Sequence, residues 1–366
     1  MKPEEVWDAR GLRLRQVRDR LHESRLDALL VSHLPSIRWL TGFTGSSAFL
    51  LVEPGSATLI TDFRYRTQAA EEVGDAISVR ITGSDLFAEL ALCLDEGDSG
   101  PRAGFEDHNL SVRDRRALGE CCGGVMWEPA GPLMDALRSA KDSSEIESIA
   151  RAVQVAERAL VEWLGAVREG ASERELAAEL VYRLHLAGSE SMPFEPIVAS
   201  GPRSALPHAH PGERRLREGD LLLVDFGARV EGYCSDMTRM FVLGSPAAWQ
   251  VEIYQVVSLA VESAIEATEA GVPARSVDGA ARDVITGAGF GDRFGHGTGH
   301  GVGLEVHERP SVNARSRDTL ESGNVVTIEP AVYLPGRGGV RLEEVVVAEE
   351  GGRRVLTTFP RDLKEL

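Results

Sequence analysis

The sequence predicts two domains, an α/β domain followed by a larger α+β domain. Three observations support this. The 366 residues exceed what one ordinary core accommodates. A run rich in proline and small residues, Glu128-Pro129-Ala130-Gly131-Pro132, interrupts the pattern about a third of the way along. Before it strands and helices alternate, and after it come helices, a hairpin, helices and a second hairpin. The division is placed between 133 and 134, giving domains 1–133 and 134–366.

In the first domain, Leu14, Val17, Leu21 and Leu26 recur at helical spacing, so 12–26 reads as a helix. Residues 28–32 read as a strand, and WLTGFTG (39–45) as a glycine-punctuated turn. Residues 48–52 and 57–61 read as paired strands around Pro54-Gly55. In the second domain, 142–167 is a long amphipathic pattern, with Ser143 and Ser144 before Glu145 as expected caps. Helices are also expected at 172–186, 251–267 and 277–288. Strands are expected at 221–227 and 237–244, then at 324–334 and 339–349. The repeated order hints at an internal duplication, although no residue-level repeat accompanies it.

Composition narrows the function classes. Hydrophobic residues make up 43% and charged residues 27%, which is ordinary for a globular protein. Acidic residues outnumber basic ones 57 to 40, a net charge of −17 that repels polyphosphates and argues against a nucleic-acid partner. No apolar run approaches the roughly 20 residues that span a bilayer, so no membrane partner is expected. The start, MKPEEVWDAR, lacks the basic and apolar regions of a secretory signal. Cys93, Cys121, Cys122 and Cys234 form no CxxC pair and no disulfide framework, so a cytoplasmic location is expected.

The chemistry lies in acidic residues where acid is costly. Asp225 sits inside the apolar run LLLVDFG, and a buried charge there needs a partner or a metal. Folding the first hairpin about Val230-Glu231 sets Asp225 opposite Asp236. Folding the second about Pro335-Gly336-Arg337 sets Glu329 opposite Glu343. Opposed residues share a sheet face about 5 Å apart, so each pair requires a cation or a retained proton. An ion-pair network with Arg239 and Arg341 is the alternative. A second cluster, HGTGHGVG followed by His307, places His296, His300 and His307 within twelve residues. Its glycines disfavour a helix and suit a backbone lying close to something. Four carboxylates and one imidazole suit a pair of divalent ions such as Mn²⁺, Co²⁺ or Zn²⁺. His208 and His210 stand in a separate proline-rich loop, ASGPRSALPHAHP.

These segments resemble the pita-bread metallopeptidases: aminopeptidase P, prolidase and methionine aminopeptidase. The matching stretches are FEPIVASGPRSALPHAHP (194–211), LLLVDFGARVEGYCSDMTR (221–239), HGTGHGVGLEVHE (296–308), TIEPAVY (327–333) and GVRLEEVVV (339–347). WLTGFTGSSAFLLV and LITDFRYRTQA resemble the creatinase/prolidase-type N-terminal domain of the aminopeptidase P and prolidase branch. Glu344 departs from the pattern, which usually has Asp or Asn there, and Cys234 occupies a variable position.

The resemblance implies roles. Asp225 would chelate one metal, Asp236 and Glu343 would bridge both, and His300 and Glu329 would complete the second. Manganese is the expected ion, with cobalt or zinc as alternatives. A hydroxide bridging the ions would attack the scissile carbonyl, with Glu329 as proton shuttle. His208 and His307 would contact the substrate carbonyl or the tetrahedral intermediate, and His296 would line a proline pocket. Arg341 would orient carboxylates, and Tyr233 would hydrogen-bond to Asp236. The leading expectation is an Xaa-Pro aminopeptidase that forms a homodimer. The alternative is an Xaa-Pro dipeptidase, with Arg337 holding the dipeptide's carboxylate. A non-catalytic peptide-binding protein on the same fold is a remote third, because all five metal positions are filled.

Overall fold

The computed structural model describes residues 3–83, 85–94 and 100–366. The chain forms two compact units, Met1–Arg138 and Ser139–Leu366. No helix among the described residues is long and apolar enough to cross a membrane.

The first unit is α/β. Helix α1 (Pro3–Ser24) starts well before residue 12 and ends where Arg25 turns left-handed, at φ 55°. Strand β1 (Ala28–Val31) follows, then α2 (Leu34–Thr41), β2 (Ala48–Val52), β3 (Ala57–Asp62), α3 (Arg66–Glu72), β4 (Ser78–Thr82), α4 (Leu86–Cys93), β5 (Arg102–Phe105), α5 (Val112–Cys121), β6 (Met126–Pro129) and α6 (Gly131–Ser139). The six strands lie in the order β4-β3-β2-β1-β5-β6, antiparallel across β1–β2–β3 and parallel elsewhere. The segment 39–45 is a turn only in its second half. Pro35 suits the first turn of α2, and Ile37, Trp39 and Leu40 are buried along it. Gly42, at φ 82°, ends that helix by donating its N–H to Arg38 O.

The second unit opens with α7 (Ser143–Trp163) and α8 (Glu173–Leu186). Asp142, rather than Ser143 or Ser144, caps α7. Its carboxylate accepts from Ser144 N and Glu145 N, while Glu145 reaches back to Asp142 N. A carboxylate accepts several N–H groups at once and suits the positive end of the helix dipole. Strands β7 (Ile197–Ser200), β8 (Leu221–Phe226), β9 (Arg229–Val230), β10 (Tyr233–Cys234) and β11 (Met237–Val242) precede α9 (Ala248–Ala267) and α10 (Ala274–Gly287). Then come β12 (Gly299–Gly301), β13 (Glu308–Val312), β14 (Val325–Ile328), β15 (Ala331–Leu334), β16 (Gly338–Arg341), β17 (Glu344–Glu349), β18 (Gly352–Val355) and β19 (Lys364–Glu365). The larger sheets are ordered β19-β11-β8-β7 and β13-β12-β14-β17-β18.

Strand β8 is buried on both faces. Leu221 and Leu223 share a core with α9 and α10, while Leu222, Val224 and Phe226 share one with α7 and α8. Side chains alternate along a strand, so Asp225 points to the same side as Leu221 and Leu223. The first hairpin does not pair as the sequence count expected. Asp225 faces Thr238, not Asp236. The turn centres on Glu231 and Gly232, both left-handed at φ 51° and 84°, with Val230 facing Tyr233. Two positive φ angles are the type I′ requirement, which Glu-Gly meets here. Moving the turn centre by one residue shifts the pairing by two, so Asp236 keeps its face but becomes a diagonal neighbour. The second hairpin follows the expected register, with Ile328 facing Glu344 and Ala331 facing Arg341. Glu329 and Glu343 lie between those pairs, where one ladder gives way to the next.

Candidate metal centre

Asp225, Asp236, His300, Glu329 and Glu343 converge on one cavity of about 450 Å³ in the second unit. Asp225 arrives from β8, Asp236 from the residue before β11, and His300 from β12. Glu329 and Glu343 arrive from the residues after β14 and before β17. Their backbones are tied to neighbouring segments: Glu329 N donates to Thr298 O at 2.7 Å and Glu343 N to Thr238 O at 3.3 Å. Donor atoms of Asp236, His300 and Glu343 lie within 4.8 Å of one another. His300 Nε2 stands 3.6 Å from Asp236 Oδ2 and 3.5 Å from Glu329 Oε1.

The electrostatics call for a cation or for retained protons. Burial pushes all four carboxyls upward, and for Asp236 and Glu343 the other acids add to it. Burial raises Glu329 to about 8, with Arg341 opposing. Burial and His307 lower His300 to about 4, so its ring is neutral. His300 Nδ1 meets the Gly301 carbonyl at 3.0 Å. A carbonyl only accepts, so Nδ1 carries the hydrogen and Nε2 turns a lone pair toward two carboxylates. Asp225 Oδ2 accepts from Arg341 Nη2, whereas its buried Oδ1 has no hydrogen-bond partner among the described residues. An orphaned carboxylate oxygen and an imidazole lone pair facing acids are what a divalent ion would satisfy, so these residues fit one.

Arg341 is the hub of the surroundings. Its Nε donates to Thr238 Oγ1 at 3.1 Å, and that hydroxyl donates to Glu343 Oε2 at 2.8 Å. Its Nη1 donates to Tyr333 Oη at 2.6 Å and to Pro207 O at 3.2 Å, next to His208. Tyr333 lies 3.2 Å from His296 Nε2, and His296 Nδ1 is 2.8 Å from Gly297 O. This arrangement suits a neutral His296, which burial lowers to about 4. Rings of Phe294 and Tyr333 lie 5.1 and 5.7 Å from its centroid. His208 and His307 line the same cavity and are solvent-exposed.

Two expected residues are placed elsewhere. Tyr233 donates its hydroxyl to Glu145 Oε1 at 2.9 Å, not to Asp236. Arg337 is exposed and stacks 4.5 Å over the ring of Trp249, outside the cavity lining. Thr238 and Tyr333 were missed as site residues. Both lie within matched segments, but only three-dimensional contact reveals what they join. Glu344, the departure from the pattern, accepts from Arg239 Nη2 at 3.1 Å and from the Thr357 hydroxyl.

Residues 147–350, more than half of the chain, match Metallopeptidase family M24. The chain belongs to that family. Residues 13–140 of this M24 metallopeptidase match the Creatinase/Prolidase N-terminal domain. A solved Xaa-Pro dipeptidase from Bacillus anthracis is 36% identical, with a TM-score of 0.94, over 98% of this chain and 100% of that one. An X-Pro aminopeptidase from Thermotoga maritima is 36% identical, with a TM-score of 0.88, over 93% and 98%. An Xaa-Pro dipeptidase from Pyrococcus horikoshii is 32% identical over 97% of this chain and 99% of its own length. The catalytic unit has the pita-bread fold of these prolidases.

Proposed function

We propose that this M24 metallopeptidase is an Xaa-Pro dipeptidase that holds two divalent ions with Asp225, Asp236, His300, Glu329 and Glu343. The observation that carries the metal reading is the orphaned Asp225 Oδ1 among four buried acids and one imidazole lone pair. The dipeptidase reading is supported by full-length relatives of that name and displaces the aminopeptidase expected from sequence. Manganese is the proposed ion. Bound ions supply polarisation of the scissile carbonyl and activation of water.

The protein's own groups do the rest. Asp236 and Glu343, whose donor atoms lie with that of His300 within 4.8 Å of one another, would help hold the ions. Arg341 orients Asp225 directly and Glu343 through Thr238. Glu329, which lines the same cavity, takes a proton from water and returns it to the leaving nitrogen. His208 and His307, on the cavity wall, donate to the carbonyl oxygen as charge develops there. His296, held neutral among Phe294 and Tyr333, forms an aromatic wall for the proline ring. An Xaa-Pro bond lacks an N–H, so a ring-shaped wall selects it without a backbone donor.

One observation favours the aminopeptidase as the second reading. Arg341 is the only Arg or Lys lining the cavity among the described residues, and it is committed to Asp225, Thr238 and Tyr333. A dipeptide's carboxylate would therefore find no uncommitted guanidinium or ammonium on the cavity wall among the described residues. Comparing turnover of Xaa-Pro with Xaa-Pro-Xaa separates the two. The dipeptidase reading predicts cleavage of the dipeptide. Cleavage of the tripeptide alone would replace it with the aminopeptidase.

A further inference from the structure

The loop that presents His307 is tethered from beneath by a buried ion pair, Lys141–Glu308. Lys141 Nζ lies 3.0 Å from Glu308 Oε2, with side chains 1% and 6% exposed. Burying two charges is costly, and apolar residues of similar volume serve stability about as well, so stability alone does not account for the pair.

Both ends of the tether are fixed. Lys141 N donates to Gly323 O at 2.9 Å, Ala140 bridges to Asn324, and Asn324 Nδ2 donates to Ser139 O at 3.0 Å. The capped start of α7 follows at Asp142. At the other end, Glu308 opens β13, and its Oε1 accepts from Glu305 N at 3.1 Å, closing a loop over 305–308. Gly303 makes room for this carboxylate, because a Cβ there would lie 2.5 Å from Glu308 Oε2. Its carbonyl accepts from Cys234 N at 2.7 Å. Val306 and His307, at the tip, line the cavity. The His307 ring packs against His300, centroids 4.2 Å apart, and makes no hydrogen bond among the described residues. Its aim is therefore set by the loop backbone and by the His300 ring.

We infer that Lys141 and Glu308 are positioning residues that aim His307 at the reacting carbonyl. The inference rests on the role proposed above for His307. The test uses the full-length, metal-loaded protein with Xaa-Pro as substrate. It compares wild type, the paired Lys141→Met/Glu308→Gln variant, His307→Ala and the triple variant. The paired variant is expected to keep its metal content and KM while losing about 10- to 100-fold in kcat, the usual consequence of a misplaced group. In the His307→Ala background the same replacement should cost nothing further, because both act through one ring. Glu308→Asp, which keeps both charges and shortens the tether by one carbon, should fold and lower kcat selectively. Lys141→Arg, which keeps the ion pair, should retain most of the wild-type rate.

An unchanged kcat in the paired variant, or losses that multiply in the triple variant, would overturn the inference. Loss of bound metal would do so too, assigning the pair to folding. Full kcat in His307→Ala would remove the role of His307 and this inference together, while leaving the metal reading intact.

Discussion

Removing the metals should make the catalytic unit less stable as pH rises, the reverse of what most carboxylates do. Asp225, Asp236, Glu329 and Glu343 all have folded-state pKa values above their ordinary ones, chiefly because of burial. A carboxyl raised on folding binds a proton more tightly in the native state. Its contribution is complete below the unfolded pKa and lost as pH climbs through the folded one. For Glu329 that window runs from 4.5 to about 8, an upper bound of about 5 kcal/mol by itself. Divalent ions replace the protons, so they should stabilise more strongly at pH 8 than at pH 6.5. An ion at about 100 times its Kd contributes roughly 2.7 kcal/mol. For a unit of this size that corresponds to about 5–10 °C in Tm. Calorimetry of chelator-stripped protein from pH 6.5 to 8, a range above the ordinary histidine pKa where the lowered His296 and His300 add little slope, measures both quantities with and without Mn²⁺. A metal-free Tm that rises over this range, or an equal metal-induced shift at both ends, would refute the reasoning.

Other perturbations follow from particular contacts. Thr238→Val keeps the volume but removes the hydroxyl between Arg341 Nε and Glu343 Oε2; it should cost about 1–3 kcal/mol by thermal melt and loosen metal retention. Tyr333→Phe cuts the link from Arg341 to His296, and kcat/KM for Xaa-Pro should fall by about fivefold or more. Gly232→Val places a branched side chain at φ 84° and should destabilise by at least about 1–2 kcal/mol. Arg337→Ala should leave kcat/KM unchanged, because that guanidinium stacks on Trp249 away from the cavity.

Much of the site was legible because acid in an apolar strand is rare and hairpins can be counted. The second hairpin pairs as counted, its PGRGG turn being short and glycine-rich. The first slipped by two because the sequence did not reveal that Glu231 would adopt a left-handed conformation beside Gly232. The period of the pleat absorbed the error, so Asp225 and Asp236 still share a face. Tyr233 went to Glu145 rather than Asp236, a contact 88 residues away in sequence that no local pattern encodes. Thr238, Tyr333 and Lys141 escaped notice for the same reason: each acts by joining segments distant in the chain. In the first unit, α2 was hidden behind the glycines of WLTGFTG, although Gly42 proved to be its terminator.

The account stands on the five proposed ligands acting together. Metal content and Xaa-Pro hydrolysis, measured side by side in wild type and Asp236→Ala after reconstitution with Mn²⁺, test this most directly. Two ions per chain and activity in wild type, with both falling together in the variant, are expected. Undiminished hydrolysis in Asp236→Ala would contradict the two-metal site.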